Sequence, residues 1–148
     1  MRIPFIFSTA AVVLLLLSCG KEEFCFNGNV TPTFKVIFVD ANSNDLLEID
    51  PDALAIDNAR IDATYTALAS ALATNFTIQA DTICIQTDVR IGEYTINYNG
   101  QEADRLIVFL EEEQVIDCNY FYRIQTMRAE NESTVCENEG AFLVKIPI

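Results

Sequence analysis

This 148-residue chain is predicted to fold, behind an N-terminal leader, as an all-β, antiparallel sandwich of about seven or eight strands. Three observations predict it. Apolar residues recur at every second position through most of the chain, the period of a strand with one buried face. β-Branched and aromatic residues dominate those runs, and Asn, Asp and Gly separate them. No segment repeats at a fixed period, which argues against solenoids and tandem arrays.

In chain order the first element is the leader. Arg2 gives a positive start, and Phe5 to Leu17 is apolar except for Ser8 and Thr9, a run of 13 residues. That is short for a bilayer span, which takes about 20 residues, and suits a secretory signal. The run ends in Leu16-Leu17-Ser18-Cys19-Gly20, which resembles the bacterial lipobox, whose cysteine is diacylated, cleaved before and N-acylated. The resemblance implies that residues 1–18 are a lipoprotein signal peptide and that Cys19 is a membrane anchor. Two or more acyl chains, at about 0.8 kcal/mol per buried CH₂, anchor stably where one does not. Lys21-Glu22-Glu23 resembles the surface-export signal of Bacteroidota lipoproteins. It implies an outer-membrane location on the cell-surface face, with the periplasmic face as the alternative. Residues 19–32 then form a lipidated tether and residues 33–148 the β-sandwich domain. Cleavage leaves 130 residues and, through the loss of Arg2, moves the formal charge from −13 to −14, on a chain sized for one domain.

The strands follow. Phe34, Val36 and Phe38 share one face, and Ile37 with Val39 makes the other face apolar too, as in a central strand. The stretch from Asp52 to Ala73 is Ala-rich and reads as a helix opened by Pro51, or as a strand. Its alternation of Ile61, Ala63, Tyr65 and Ala67 with Asp62, Thr64 and Thr66 favours the strand. Phe76, Ile78 and Ala80 alternate next, then Ile83 and Ile85, then Tyr94, Ile96 and Tyr98. Leu106, Val108 and Leu110 come after, then Tyr120, Tyr122 and Ile124, and last Phe142, Val144, Ile146 and Ile148. Asn99-Gly100 is a hairpin signal. A strict two-residue loop would set Tyr94 opposite Arg105 and mix the two faces, so a bulge or a longer loop is required. Short alternating strands with regular turn signals suggest immunoglobulin-like architecture.

Composition excludes whole classes of function. There is no His, which removes Ser-His-Asp and Cys-His machinery, His-ligated zinc and an imidazole proton shuttle. With 22 Asp+Glu against 9 Lys+Arg the chain lacks the basic face that nucleic acid requires. With Cys19 assigned to lipid, Cys25, Cys84, Cys118 and Cys136 remain, an even set in an exported chain, which reads as disulfides. Spacing favours Cys118 with Cys136 across a hairpin and Cys25 with Cys84 as a staple from tether to strand. Free thiols are the alternative. An immunoglobulin-type core is not expected, because Cys118-Asn119-Tyr120 reverses the usual order and there is no Trp to pack on a bridge.

Four further groups are candidates for chemistry. Asp40, Asn42, Asn44 and Asp45 resemble the start of a calcium loop, although Asp45 stands where glycine is needed and Pro51 where a bidentate glutamate belongs. The competing reading is a polar turn. Val39-Asp40, followed by Asn44-Asp45-Leu46-Leu47, also resembles the first hairpin of small Bacteroidota lipoproteins with immunoglobulin-like folds, a resemblance that implies no activity. Glu111-Glu112-Glu113, with Asp104, forms a candidate carboxylate pair for glycoside hydrolysis, or a solvated strand end. Tyr94, Tyr98, Tyr120 and Tyr122 read as an aromatic platform or as core packing. Asp81-Thr82-Ile83 resembles the O-glycosylation pattern of exported Bacteroidota proteins, with Thr82 the acceptor. The expectation is a non-enzymatic, lipid-anchored binding or accessory module, with no cofactor beyond a candidate Ca²⁺. Its partners are the membrane and an outer-membrane protein or an extracellular glycan or peptide. The alternatives are a structural envelope subunit and a carboxylate-based hydrolase.

Overall fold

The computed structural model describes residues 28–60, 73–116 and 119–148. They form ten strands: β1 Gly28–Val30, β2 Thr33–Val39, β3 Leu54–Arg60, β4 Phe76–Gln79, β5 Thr82–Gln86, β6 Ile91–Tyr98, β7 Gln101–Ile116, β8 Asn119–Ala129, β9 Thr134–Asn138 and β10 Ala141–Pro147. Sheet 1 has the order β1-β8-β7-β6-β3 and sheet 2 the order β4-β5-β2-β10-β9. The two sheets pack as a sandwich, as the alternation predicts.

The expectation of a purely antiparallel sandwich is corrected. β1 runs parallel to β8 and β10 runs parallel to β2, so both sheets are mixed. The parallel neighbours arise where the chain crosses between sheets. Alternation reports which face of a strand is buried and says nothing of which strand lies beside it. β1 itself lies inside the stretch assigned to the tether, so the folded part starts ahead of Thr33.

The core is the inward phase of both sheets. From sheet 2, Phe34, Val36, Phe38, Ile83, Ile85, Val144 and Ile146 are buried. From sheet 1, Tyr94, Ile96, Leu106 and Val108 meet them. Full burial of such side chains contributes about 1.5–3 kcal/mol each. Two ring pairs cross the sandwich. Phe34 meets Tyr94 edge-on at 5.4 Å, and Phe38 meets Tyr98 at 4.6 Å.

Local chemistry explains the strand boundaries. Asp50 ends the approach to β3 by accepting the Asp52 N–H at 3.0 Å on Oδ1, which caps a 3-10 turn at Pro51–Ala53. Leu54–Arg60 then continues as a strand, in the sense the alternation favours. The rest of the ambiguous stretch, 61–72, lies outside the described residues. Asn99 (φ 52°) and Gly100 (φ 73°) make the two-residue turn between β6 and β7, both in the left-handed region. A register shift between Ile96 and Asn97 follows, and it sets Tyr94 opposite Leu106. That is the bulge the faces require.

β7 and β8 run on past the last β6 pair as a two-stranded ribbon, to which β1 adds a third strand. Register shifts at Phe109/Leu110 and at Glu112/Gln114 break its regularity, and such bulges bend a strand. At the opposite end the chain crosses from β8 to β9 around Asp104. This carboxylate is fully buried, in phase with Leu106 and Val108. Its Oδ1 accepts the N–H groups of Arg105 (2.6 Å), Glu130 (3.2 Å) and Asn131 (3.0 Å), and its Oδ2 accepts that of Ser133 (3.2 Å). Four charge-assisted bonds replace the water such a group loses on burial.

Candidate functional site

The sandwich has two distinct ends. At the near end β1 turns through Thr31-Pro32-Thr33 into β2 and is fastened to the end of β5. Thr87 donates its N–H (3.0 Å) and its hydroxyl (2.6 Å) to the Pro32 carbonyl. Gln86 Nε2 donates to the Thr31 hydroxyl at 2.9 Å, and the Thr33 hydroxyl donates to Gln86 Oε1 at 3.0 Å. Beside this network opens a cleft of about 530 Å³, lined by Asn29, Val30, Thr31, Asn75, Asp88 and Ile91 among others.

The electrostatics of the cleft are internally paired. Asp88 takes Arg90 Nε on Oδ1 at 2.9 Å and Nη2 on Oδ2 at 2.7 Å, a two-point ion pair. Bonding to Asp88 raises the Arg90 pKa above its ordinary value. The Asp88 N–H donates to the Tyr94 hydroxyl at 3.2 Å, and burial pushes the Tyr94 phenol up to about 12. The cleft therefore presents neutral hydroxyls and amides beside one compensated ion pair. Such a lining suits binding of a polar ligand through hydrogen bonds.

The far end carries a groove of about 510 Å³ lined by Leu47, Tyr98, Gln101, Glu102, Ala103 and Pro147, among others. Tyr98 accepts the Asp50 N–H on its hydroxyl at 3.1 Å, which fixes the ring on the groove wall. Leu46 is 53% exposed nearby. The sequence leading through this end, residues 40–57, holds Asp40, Asp45, Glu48, Asp50, Asp52 and Asp57 and no Lys or Arg. The far end is thus acidic and rich in turns, with polar and apolar side chains mixed along its groove.

The predicted site residues fall as follows. Asp40 turns its carboxylate onto its own backbone: Oδ1 accepts the N–H groups of Asn42 and Ser43 at 2.8 Å each. Those bonds lower its pKa. With Asn44 at φ 60° the Asp40–Asp45 loop has the geometry of the polar turn. Among the described residues no group of three or more His, Cys, Asp or Glu is placed to hold a metal ion. Asp104 and Glu111 do not converge. Glu111 lies seven residues along the same strand, about 23 Å at strand rise, and it pairs with Arg123 at 2.8 Å. The catalytic separation for glycoside hydrolysis is about 5–9.5 Å, so this carboxylate pair is absent.

The tyrosines divide. Tyr94 is core, Tyr98 lines the far groove, and Tyr120 and Tyr122 are half-buried on the ribbon. No common platform forms from the four. Thr82 opens β5 opposite Gln79, half-buried beside a tight turn. Cys84 and Cys136 are free thiols, the first half-buried and the second exposed. Cys19, Cys25 and Cys118 lie outside the described residues.

Sequence reasoning missed two functional groupings. The alternation through Leu106, Val108 and Leu110 extends back to Asp104, and that phase was a signal that the acid points inward. The Thr31, Gln86 and Thr87 network carries no such signal, since it joins residues more than fifty apart. The chain matches no family model, no curated protein and no solved structure.

Proposed function

We propose that this chain is a lipid-anchored, non-enzymatic binding or accessory lipoprotein of the outer membrane, held at the cell surface by acylated Cys19. The observation that carries the reading is the Leu16-to-Gly20 lipobox, whose Cys19 lies nine residues ahead of β1. Nine residues span at most about 32 Å, so the near end of the sandwich stays close to the lipid. The far end, with its acidic turns and the Leu47–Tyr98 groove, then faces away from the membrane and is the surface offered to an extracellular glycan or peptide. Its acidity keeps it apart from anionic lipid.

The experiment is fractionation of cells expressing the wild type and Cys19→Ala, with protease added to intact cells. The wild type is expected in the outer-membrane fraction and protease-sensitive in intact cells, and Cys19→Ala in the soluble fraction. Cys19→Ala retained in membranes removes the anchor. A wild type that is cut only after lysis moves the protein to the periplasmic face.

A second reading, a structural envelope subunit, draws on the ribbon. Phe109, Val115 and Ile116 are exposed there, Val115 to 50%, and among the described residues β8 beyond Phe121 pairs with β7 alone. An unpaired edge with apolar neighbours is a docking surface for a protein strand. Capture of the detergent-solubilised lipoprotein at fixed stoichiometry with an outer-membrane protein favours this reading, and a clean monomer favours the first.

A further inference from the structure

The two outward faces of the sandwich differ in charge. On sheet 1 the outward positions carry both signs, with Asp57 on β3, Glu93 on β6, Arg105 and Glu111 on β7, and Arg123 and Arg128 on β8. Ion pairs join them, Arg105 to Glu93 at 3.4 Å and Arg123 to Glu111 at 2.8 Å. On sheet 2 the buried side chains of Phe34, Val36, Ile83, Ile85 and Val144 set the inward phase, and the register then fixes the outward positions of all its strands. None of those positions holds Asp or Glu, in a chain with 22 acids. The acids nearest in sequence stand elsewhere: Asp81 in the β4–β5 turn, Glu137 opposite the inward Phe142, and Glu139 in the β9–β10 turn.

Two cations stand on this acid-free face. Lys35 on β2 is exposed and Lys145 on β10 is half-buried. Leu143 is opposite Lys35, and Lys145 is opposite Ile37, in the parallel β2–β10 pair. The lysines are therefore one strand across and two residues along from each other, with Cα atoms about 8 Å apart. Arg90, Arg105, Arg123 and Arg128 each meet a carboxylate, at 2.7, 3.2, 2.8 and 3.9 Å. Among the described residues neither lysine has such a partner. Two neighbouring ammonium groups with no carboxylate beside them favour an anion that pairs with both.

The rest of the face restricts the kind of anion. Thr77 and Gln79 on β4, and Thr134 and Asn138 on β9, are exposed at its two margins. No outward position of sheet 2 is aromatic, and none of the large exposed apolar side chains of the described residues lies there. Protein partners are held by aromatic and apolar anchors, which this face lacks. A second copy bound face to face about a two-fold axis would bring two positive faces together. Two ammonium groups also fall short of the basic stripe that nucleic acid takes. Hydroxyls and amides around a pair of cations match a hydrated chain of hydroxyls and carboxylates.

We propose that the outward face of sheet 2 binds a polysaccharide bearing carboxylate groups. Lys35 and Lys145 pair with its carboxylates, and the flanking Thr, Gln and Asn side chains bond its hydroxyls. The face meets the Leu47–Tyr98 groove at Pro147, so it extends the far-end surface along the side of the sandwich. It rests on the cell-surface reading only for where the polymer is met, since the charges and the register stand without the lipid.

The test passes the detergent-solubilised lipoprotein over immobilised polygalacturonate and over the same polymer fully methyl-esterified, which keeps the sugar chain and removes its charge. The expected result is salt-sensitive binding to the acid form alone. Lys35→Gln and Lys145→Gln are each expected to weaken it about threefold, and the double variant about tenfold. Arg128→Gln, the same change of charge on sheet 1, is expected to leave it unchanged. Equal binding to the ester, no binding at low ionic strength, a double lysine variant bound like the wild type, or an Arg128→Gln loss equal to that of Lys35→Gln overturns the proposal. Self-association that Lys35→Gln abolishes assigns the face to a second copy and overturns it too. Cys19→Ala is expected to bind as the wild type does, so a failed anchor and a failed face give different results.

Discussion

The two ends of the sandwich are closed by opposite means. At the far end one buried carboxylate, Asp104, gathers four backbone N–H groups from β7 and the β8–β9 crossover. At the near end several neutral groups, among them Thr31, Thr33, Gln86 and Thr87, share the fastening of β1 and β2 to β5. A single charge makes a strong closure and a single point of failure. A neutral network spreads the same work over weak bonds, loses little with each one, and leaves a cleft beside it. The near end therefore tolerates change better than the far end.

Substitutions at the two ends break this contrast in order of size. Asp104→Ala leaves four donors without their acceptor and is expected to cost about 3–5 kcal/mol, read from chemical denaturation. A loss below about 1 kcal/mol means that the crossover does not depend on the acid. The near end's largest effect lies at high pH. The Tyr94 pKa is raised to about 12 in the folded state, above the unfolded value near 10. The stability of the neutral phenol is therefore fully present below pH 10 and is lost as pH rises toward 12. Between pH 9.5 and 12 the wild type is expected to lose about 2 kcal/mol more than Tyr94→Phe. Parallel pH curves for the two proteins contradict the burial of Tyr94.

Gln86→Ala removes bonds from the distributed network at once and is expected to cost about 1–2 kcal/mol. That is smaller than the Asp104→Ala effect, and equality of the two removes the contrast. The smallest effect belongs to the ribbon: Ile116→Ser, at an exposed position, is expected to change stability by less than about 0.5 kcal/mol. If it nevertheless abolishes capture of an outer-membrane protein, the structural-subunit reading gains over the binding-module reading.

What was legible in the sequence follows from the range of each interaction. Alternation marks strands whose faces differ, so β2, β5, β6 and β10 stand out in the residue pattern. The conflict between Tyr94 and Arg105 across Asn99-Gly100 foretold the bulge at Ile96/Asn97. β1 and β9 were not legible. Gly28-Asn29-Val30 offers three residues with one apolar side chain, and β9 offers Val135 as its one inward anchor in a polar run. Such strands exist because a partner edge is waiting for them. The parallel pairing of β2 with β10 is likewise a property of the crossover, joining residues over a hundred positions apart. The calcium-loop and carboxylate-pair candidates were patterns of residue type without position. Asp40 spends its acceptor on its own turn, and Asp104 spends both oxygens on the crossover.

The proposed lipid anchor on Cys19 sets which end of the sandwich faces the lipid. Its most direct test is growth with a labelled fatty acid, followed by mass spectrometry of the N-terminal peptide. The expected result is label on Cys19 of the wild type, cleavage before that residue, and no label in Cys19→Ala. A wild-type chain that retains residues 1–18, or that is cleaved without taking up label, contradicts it.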